Sequence, residues 1–467
     1  MASGVDSRPV EQSDAPQPSE RRRRWPAVVA VLMLVAGVGI GATPFVTDVS
    51  QPPQSGLVHW PYLTQIEEFE ALPGPSADAP MPTAESLAPL LDDAFSSVKG
   101  TVAISVRDGM SGEELYAQDG TELLKPASSL KTVTAVAALA TWGPGYRIPT
   151  RVVAGHGDGE VVLVAGGDVT LTRDGSGYYD EAAQLTDLAA QVRDAVGGDV
   201  TTLTVDTSIF VDDPVAVGVK PAEIAAGYTA KLTPFMVDGG RLDPTAPHYS
   251  QRADDPTGYA AEQLADLLGA SQVVDGSAPE GAEELGVVHS PNMQRMAEMA
   301  MTSSDNLLTD VLARHVAIAT GEEASFAGAA SATLATLESL GMTTDGVVLH
   351  DGSGLSQDNL LTASMLSELV AYSVAGDADV TGISASMPVA GYSGSLNDRF
   401  EGESDAHGEV RAKTGTLNEV GSLTGFVVTA DGRWLTFSFI LNGHRDGYGA
   451  EQALDRAAAV LAACGCA

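Results

Sequence analysis

The sequence is poor in cysteine and in basic side chains. Its only cysteines, Cys464 and Cys466, are too few for a disulfide scaffold or a tetrahedral zinc site. Its 25 basic residues face 62 acidic ones, and the net charge of −37 argues against nucleic-acid binding, which needs a positive surface. The eight histidines show no metal-ligand spacing. We therefore expect no zinc peptidase, no metal site and no cofactor.

Lysine is the scarcest of the common charged residues. Arginine carries most of the positive charge, so a position that keeps lysine is a candidate for a function that arginine cannot perform. An amine can lose its proton and act as a base, whereas a guanidinium cannot. Each lysine therefore deserves inspection, and the chain has six of them: Lys99, Lys125, Lys131, Lys220, Lys231 and Lys413.

The first 82 residues predict a membrane-associated leader. Residues 1–24 read as a disordered cytoplasmic tail that ends in four arginines. Residues 25–42 are uncharged and apolar, close to the ~20 residues that span a bilayer, and predict a transmembrane anchor or a signal peptide. Residues 43–82 form a Pro-rich linker. The catalytic part would lie outside the cytoplasm, anchored in the cell membrane, or secreted if 1–42 is cleaved.

A serine followed three residues later by a lysine places hydroxyl and amine on one helical face. The pattern occurs as Ser96 with Lys99 and as Ser128 with Lys131. Ser96 lies at the end of a predicted helix, whereas Ser128 lies at a helix start after Pro126. Free N–H groups at a helix start can stabilise an oxyanion. We therefore predict that Ser128 is a nucleophile and Lys131 its base, although a helix N-cap is the structural alternative for Ser128.

Two further motifs can complete such a site. A Ser-x-Asn pattern occurs three times, and only Ser304-Asp305-Asn306 sits between two predicted helices, where a tight turn could aim both side chains into a cleft. A plain helix cap fits these residues about as well. Lys413-Thr414-Gly415 is more specific, because chance matches are rare with six lysines. We expect the glycine to leave room for substrate backbone along a strand.

These three motifs, in this order, are typical of penicillin-binding proteins and class A β-lactamases. From about residue 83 to 463 the chain resembles the class C, low-molecular-mass penicillin-binding proteins, which are D-alanyl-D-alanine carboxypeptidases and endopeptidases. The 176 positions between Ser128 and Ser304 are distinctive of that family. The resemblance rests on five stretches: 126–128, 166–168, 304–308, 351–356 and 411–416.

The resemblance implies an α+β fold with an interrupted domain. A transpeptidase- or β-lactamase-like domain, in which helices flank an antiparallel sheet, would comprise residues 83–145 plus 289–467. An inserted α/β domain would occupy residues 146–288, where the sequence shows no constellation of chemically active residues. Residues 423–429 and 434–441 flank Ala430-Asp431-Gly432-Arg433 and predict a β-hairpin in the main domain.

The resemblance also implies a role for each motif residue. Ser128 would attack the bond between two terminal D-alanines of a peptidoglycan stem peptide, or a β-lactam inhibitor, and Lys131 would take its proton. Backbone N–H groups of Ser128 and Thr416 would form the oxyanion hole. Ser304 would relay a proton to the leaving amine and Asn306 would hold the substrate amide. The terminal carboxylate would be bound by three side chains: Lys413, Thr414 and Thr416.

Three other functions remain open at this stage. A β-lactamase shares the motifs, but no glutamate is evident on a loop after Ser-Asp-Asn to activate the deacylating water. A catalytically silent cell-wall-binding protein could keep the same cleft, although the intact lysines argue against it. An α/β-hydrolase is disfavoured because the sequence contains no Gly-x-Ser-x-Gly elbow.

Overall fold

The computed structural model describes residues 75–211, 213–375 and 380–465, which belong to one unit running from Glu70 to Ala467. The predicted tail, the apolar segment 25–42 and most of the linker lie outside the described residues. Within the described ranges, no helix has the length and hydrophobicity needed to cross a bilayer.

The described residues form eleven α-helices and ten strands. The N-terminal part contains α1 (Ala84–Phe95), β1 (Thr101–Asp108), β2 (Glu114–Gln118) and α2 (Leu130–Trp142). The middle part contains β3 (Arg147–Ala154), β4 (Glu160–Val164), α3 (Leu185–Val196), β5 (Thr202–Asp206), α4 (Pro221–Ala225), α5 (Pro256–Leu268), β6 (Gln272–Asp275) and β7 (Glu284–Asn292). The C-terminal part contains α6 (Met293–Thr302), α7 (Asn306–Thr320), α8 (Phe326–Ser339), α9 (Ala363–Ala375), α10 (Gly382–Ser386), β8 (Arg411–Leu417), β9 (Val420–Val428), β10 (Trp434–Asn442) and α11 (Gly447–Ala462).

The first sheet is antiparallel and brings the two ends of the chain together, in the order β2-β1-β10-β9-β8. Side chains alternate between its faces, as strand geometry requires. On β10, Phe437 and Phe439 pack into the cluster that contains side chains of α1 and α11, whereas Ile440 packs into the cluster of α2, α6, α7 and α9. Helices therefore cover both faces, and the predicted α+β class with a helix-flanked antiparallel sheet is confirmed.

The second sheet lies between α2 and α6 in the chain and has the order β6-β5-β4-β3-β7. The β4–β5 and β5–β6 pairs are parallel, and β3 pairs antiparallel with β4 and β7. Helices α3 and α5 pack on it through a separate apolar cluster that includes Leu163, Leu188 and Leu264. The domain boundary predicted at residue 288 falls inside β7, which continues directly into α6.

Candidate active site

Ser128 lies in a single 3-10 turn, Ala127–Ser129, immediately before α2. Lys131 is on the first turn of α2, fully buried, with its Nζ 3.0 Å from Ser128 Oγ. Ala127 has a φ of 47°, a left-handed conformation that costs a non-glycine residue energy and persists only where its surroundings enforce it. The backbone before the nucleophile is therefore held in a strained shape that presents Ser128.

The other Ser-x-x-Lys pair does not form this contact. Ser96 caps the C-terminus of α1, and its hydroxyl donates to the carbonyl oxygen of Asp93 at 2.7 Å. Lys99 is exposed to solvent. The local structural context therefore distinguishes the two pairs.

Lys131 Nζ has two further neighbours, and both are hydrogen-bond acceptors. It donates to Asn306 Oδ1 and to the carbonyl oxygen of Ser353, each at 2.6 Å. A neutral amine has two N–H donors and one lone pair. With both donors engaged by these acceptors, the lone pair is left to face Ser128 Oγ. The geometry thus points the lone pair of the neutral amine at this hydroxyl.

Burial lowers the pKa of Lys131 to about 8, against the opposing effect of the Asp310, Asp351 and Asp305 charges. Desolvation penalises the ammonium form more than these carboxylates favour it. A substantial fraction of the Lys131 side chains is therefore neutral near neutral pH, as general-base catalysis requires.

The glycine-rich stretch 351–356 supplies the acceptor for Lys131 and is organised by Asp351. The Asp351 carboxylate accepts hydrogen bonds from the backbone N–H groups of Gly354 and Ser356 and from the Asn359 side chain. This holds the Ser353 carbonyl against Lys131. Ser353 was not among the predicted site residues, because it acts through its backbone.

Ser304, Asp305 and Asn306 form the turn between α6 and α7. Ser304 has a φ of 56°, a second strained position in the site. Asp305 caps α7 by accepting from the backbone N–H of Leu308, and its other oxygen accepts from the buried Tyr179 hydroxyl at 2.9 Å. Asp305 therefore forms the helix cap that the sequence offered as the alternative to a functional role. Its neighbours Ser304 and Asn306 face the site.

Lys413 is fully buried on β8 and donates to Ser304 Oγ and to the Thr414 carbonyl oxygen, both at 2.9 Å. Burial, reinforced by the nearby Lys131 charge, lowers its pKa well below the ordinary value. Its amine lies behind Ser304 and does not line the cavity. Direct contact between Lys413 and a substrate carboxylate remains a prediction. The hydroxyls of Thr414 and Thr416, which line the cavity, are better placed to contact that carboxylate.

The reason for glycine at position 415 differs from the one predicted. A Cβ there would lie 2.2 Å from Ser422 Oγ and 2.8 Å from the Pro126 carbonyl oxygen. Ser422 Oγ donates to this same carbonyl at 2.6 Å and lies 2.8 Å from Ser129 Oγ. Gly415 therefore lets β8 and β9 approach the turn that carries Ser128, whereas the sequence suggested that it makes room for substrate.

A cavity of about 500 Å³ joins the predicted residues. Five of them line it: Ser128, Ser304, Asn306, Thr414 and Thr416. Ser395 also lines the cavity, with its Oγ 2.7 Å from Thr414 Oγ1. Lys413 and Lys131 support this wall from behind.

Residues of the middle part of the chain form the opposite wall, where the sequence had indicated no chemistry. Tyr228 and Tyr249 line the cavity with their rings 4.6 Å apart and edge to face, together with Lys220 and Glu223. The Tyr228 carbonyl oxygen accepts from Asn306 Nδ2 at 2.9 Å, so one N–H of this amide remains for a substrate.

Among the described side chains, no cluster of three or more His, Cys, Asp or Glu residues is arranged to hold a metal ion. The groups around Ser128 are the hydroxyls of Ser304, Thr414 and Thr416 and the Asn306 amide, with the two buried amines of Lys131 and Lys413 behind them. This donor set suits acyl transfer by a serine and its lysine base.

Comparison with known proteins agrees with the motifs. The D-Ala-D-Ala carboxypeptidase 3 (S13) family matches residues 83–251 and 245–463. Carboxypeptidase DacB of Mycolicibacterium smegmatis is 39% identical over 402 residues, covering 83% of this chain and 86% of the relative. A carboxypeptidase of Mycobacterium tuberculosis is 38% identical over 379 residues, covering 79% of this chain and 81% of its own. Penicillin binding protein 4 (dacB) of Haemophilus influenzae has the same fold, with a TM-score of 0.67, 21% identity, and coverage of 78% of this chain and 97% of its own.

The geometry predicts a pH-dependent rate of acylation. Because the Lys131 amine must be neutral to accept a proton, the rate of acylation by labelled penicillin should rise with pH and level off above about 8. Lys131→Arg should reduce this rate at least about a hundredfold, since general-base catalysis contributes about 10²–10⁴-fold. Lys99→Arg is the matched control, because Lys99 belongs to the other Ser-x-x-Lys pair. A rate that stays constant from pH 6 to 9, or that survives Lys131→Arg, would exclude the base assignment.

Proposed function

We infer that this chain, which belongs to the D-Ala-D-Ala carboxypeptidase 3 (S13) family, is a serine-type D-Ala-D-Ala carboxypeptidase that forms an acyl-enzyme. The observation that carries the inference is the buried Lys131 amine, held 3.0 Å from Ser128 Oγ by two acceptors. The substrate is a peptidoglycan stem peptide that ends in two D-alanines. β-Lactams acylate the same serine and act as inhibitors.

In the acylation step, Ser128 Oγ attacks the carbonyl carbon of the penultimate D-alanine as its proton passes to Lys131 Nζ. The carbonyl oxygen becomes an oxyanion, and backbone N–H groups of Ser128 and Thr416 stabilise it. Both residues line the cavity, on the helix start and on the strand that faces it. The electron pair of the C–N bond leaves with the nitrogen of the terminal D-alanine.

That nitrogen must receive a proton as the bond breaks. Ser304 Oγ donates it and takes a replacement proton from the Lys131 ammonium, which becomes neutral again. Lys413 Nζ donates to Ser304 Oγ and so orients this hydroxyl, and Asn306 links the turn to Lys131. Water then attacks the ester carbonyl, a proton of the water passes to Lys131, and Lys131 returns a proton to Ser128 Oγ as the ester C–O bond breaks.

Substrate binding uses the cavity walls. Asn306 Nδ2 has one N–H left for the substrate amide. The terminal carboxylate fits beside the hydroxyls of Ser395, Thr414 and Thr416, with the buried Lys413 amine behind them. The wall formed by Tyr228 and Tyr249 would contact the residue before the D-alanines. Cleavage of crosslinks beside D-alanine, an endopeptidase activity, uses the same chemistry.

The domain assignment fits the observed sheets. Residues 83–145 plus 289–467 hold the antiparallel sheet and the motif residues, and residues 146–288 hold most of the second sheet with its own apolar cluster. We assign the first as the penicillin-binding transpeptidase-like domain and the second as an inserted α/β domain. The insert contributes Tyr179 and Tyr228 to the catalytic turn.

Defined stem peptides test the function. The segment from residue 75 onward should release one D-alanine from an uncrosslinked pentapeptide and carry a penicilloyl adduct after incubation with penicillin, both detected by mass spectrometry. Ser128→Ala should lose both activities, whereas Ser96→Ala, in the other Ser-x-x-Lys pair, should keep them. A stable adduct on Ser128→Ala would refute the nucleophile, and rapid release of penicilloate would indicate a β-lactamase. A crosslinked dimer in the same assay measures the endopeptidase activity.

The apolar segment 25–42 supports a location at the cell membrane with the catalytic part outside, because four arginines precede it on the expected cytoplasmic side. The full chain should sediment with membranes and be labelled by a penicillin that does not enter the cytoplasm, whereas a chain that lacks residues 1–42 should stay in the cytoplasm. Release into the medium of a chain that has lost residues 1–42 would instead indicate a cleaved signal peptide.

A further inference from the structure

A second cavity, of about 410 Å³, lies beside the catalytic cavity. Thr416, Leu417 and Asn418 line both, so the end of β8 and its turn into β9 form a shared wall. The far side of the second cavity consists of the segment after β10 and the first turn of α11, including His444, Arg445 and Tyr448. A molecule that follows β8 past Thr416 therefore passes from one cavity into the other.

The substrate orientation in the proposed function directs the peptide along this path, and the inference rests on that function. The terminal carboxylate lies at Ser395 and Thr414, and the scissile carbonyl lies at Ser128 and Thr416. The residues that precede the scissile bond therefore continue toward Asn418. Thr416 is the penultimate residue of β8 and Asn418 is the first residue of the turn that follows, so the second residue before the acylated D-alanine would reach this end of the strand.

Two nitrogen-bearing side chains in the second cavity lack partners among the described residues. His444 is only 6% exposed, and neither of its ring nitrogens has a hydrogen-bond partner. Buried polar groups in folded proteins are nearly always paired, so an unpaired imidazole on a cavity wall points to a bound molecule. Arg445 is exposed at the mouth and forms no ion pair within the described ranges.

The charges of this cavity favour an anionic group near Arg445. Glu451 pairs with Arg399 at 3.3 Å, and Arg399 also pairs with Asp455 at 2.6 Å. Glu419 lies exposed in the turn after β8, where solvent screens its charge. Arg445 is thus the cation of this cavity that can still bind a carboxylate, and a guanidinium binds one with two parallel hydrogen bonds.

We propose that this second cavity is an upstream subsite, formed by Asn418, His444, Arg445 and Tyr448, for an acidic residue two positions before the acylated D-alanine. Arg445 binds the carboxylate of that residue, and His444 hydrogen-bonds to the same group from the floor of the cavity. The Tyr448 ring, 68% exposed, covers the apolar part of the peptide. Arg445 is thereby a specificity-determining residue for the hydrolysis of stem peptides.

Three synthetic peptides test the upstream subsite: acetyl-Glu-Lys-D-Ala-D-Ala, its Gln analogue and the short diacetyl-Lys-D-Ala-D-Ala. The native chain should hydrolyse the Glu peptide with a kcat/KM about tenfold above that of the Gln peptide, the ratio expected for one charge-assisted contact. Arg445→Ala should reduce the ratio to about one through KM, and Arg445→Lys should keep part of the preference because it retains the charge.

The matched control is Arg151→Ala, an exposed arginine on β3 of the second sheet, which should keep the native ratio. Thermal unfolding of each variant shows whether it is folded. Equal kcat/KM for the Glu and Gln peptides in the native chain would overturn the subsite, as would a preference that survives in Arg445→Ala. If even the short peptide is not hydrolysed, the proposed function fails instead, so the two failures are distinguishable.

Discussion

The site depends on one buried amine. The Lys131 side chain is fully buried, and this desolvation lowers the pKa of its amine to about 8, so that the amine is available to accept a proton. Burial alone would leave the lone pair without direction. The Asn306 amide oxygen and the Ser353 carbonyl oxygen accept hydrogen bonds from the two N–H groups of the amine, so the lone pair points at the Ser128 hydroxyl. The other features of the site either exclude water from this amine or hold its hydrogen-bond partners in position.

Four segments that are far apart in the sequence meet around Lys131: 126–131, 304–306, 351–356 and 413–422. Holding them in place costs free energy. Ala127 and Ser304 both adopt left-handed backbone conformations, each of order 1–3 kcal/mol, next to the atoms that react. Compensation comes from hydrogen bonds around them: Asp351 organises the loop that supplies Ser353, and Ser422 on β9 holds the Pro126 carbonyl. The middle part of the chain takes part as well, because the Tyr179 hydroxyl, in the segment between β4 and α3, donates to the carboxylate of Asp305.

The sequence predicted the motif residues well because side-chain chemistry at fixed spacing is a local property. Ser128, Ser304 and Thr416 do line one cavity, as the motifs suggested. Sequence reasoning missed residues that act through the backbone or through long-range contacts. Ser353 contributes a carbonyl, and Ser422 contacts a turn almost 300 positions away. Strands β5, β6 and β7 of the second sheet were not predicted either. β6 is short and fully exposed and so has no apolar period, whereas the alternation of Leu203 and Val205 in β5 was a usable signal. The glycine at 415 was predicted to leave room for substrate backbone. In the structure it leaves room for Ser422 and for the Pro126 carbonyl, which only the fold brings to this strand.

The most direct test of this account is the titration of the Lys131 amine itself. With six lysines in the chain, selective ¹³C labelling of the lysine ε-carbons gives a spectrum simple enough to follow each signal by NMR, and the signal absent from a Lys131→Arg sample identifies Lys131. The Lys131 signal should have a midpoint near 8, well below the ordinary lysine value of about 10.4. A Lys131 midpoint at or above this ordinary value would contradict it, because the amine would then be protonated when the enzyme must use it as a base.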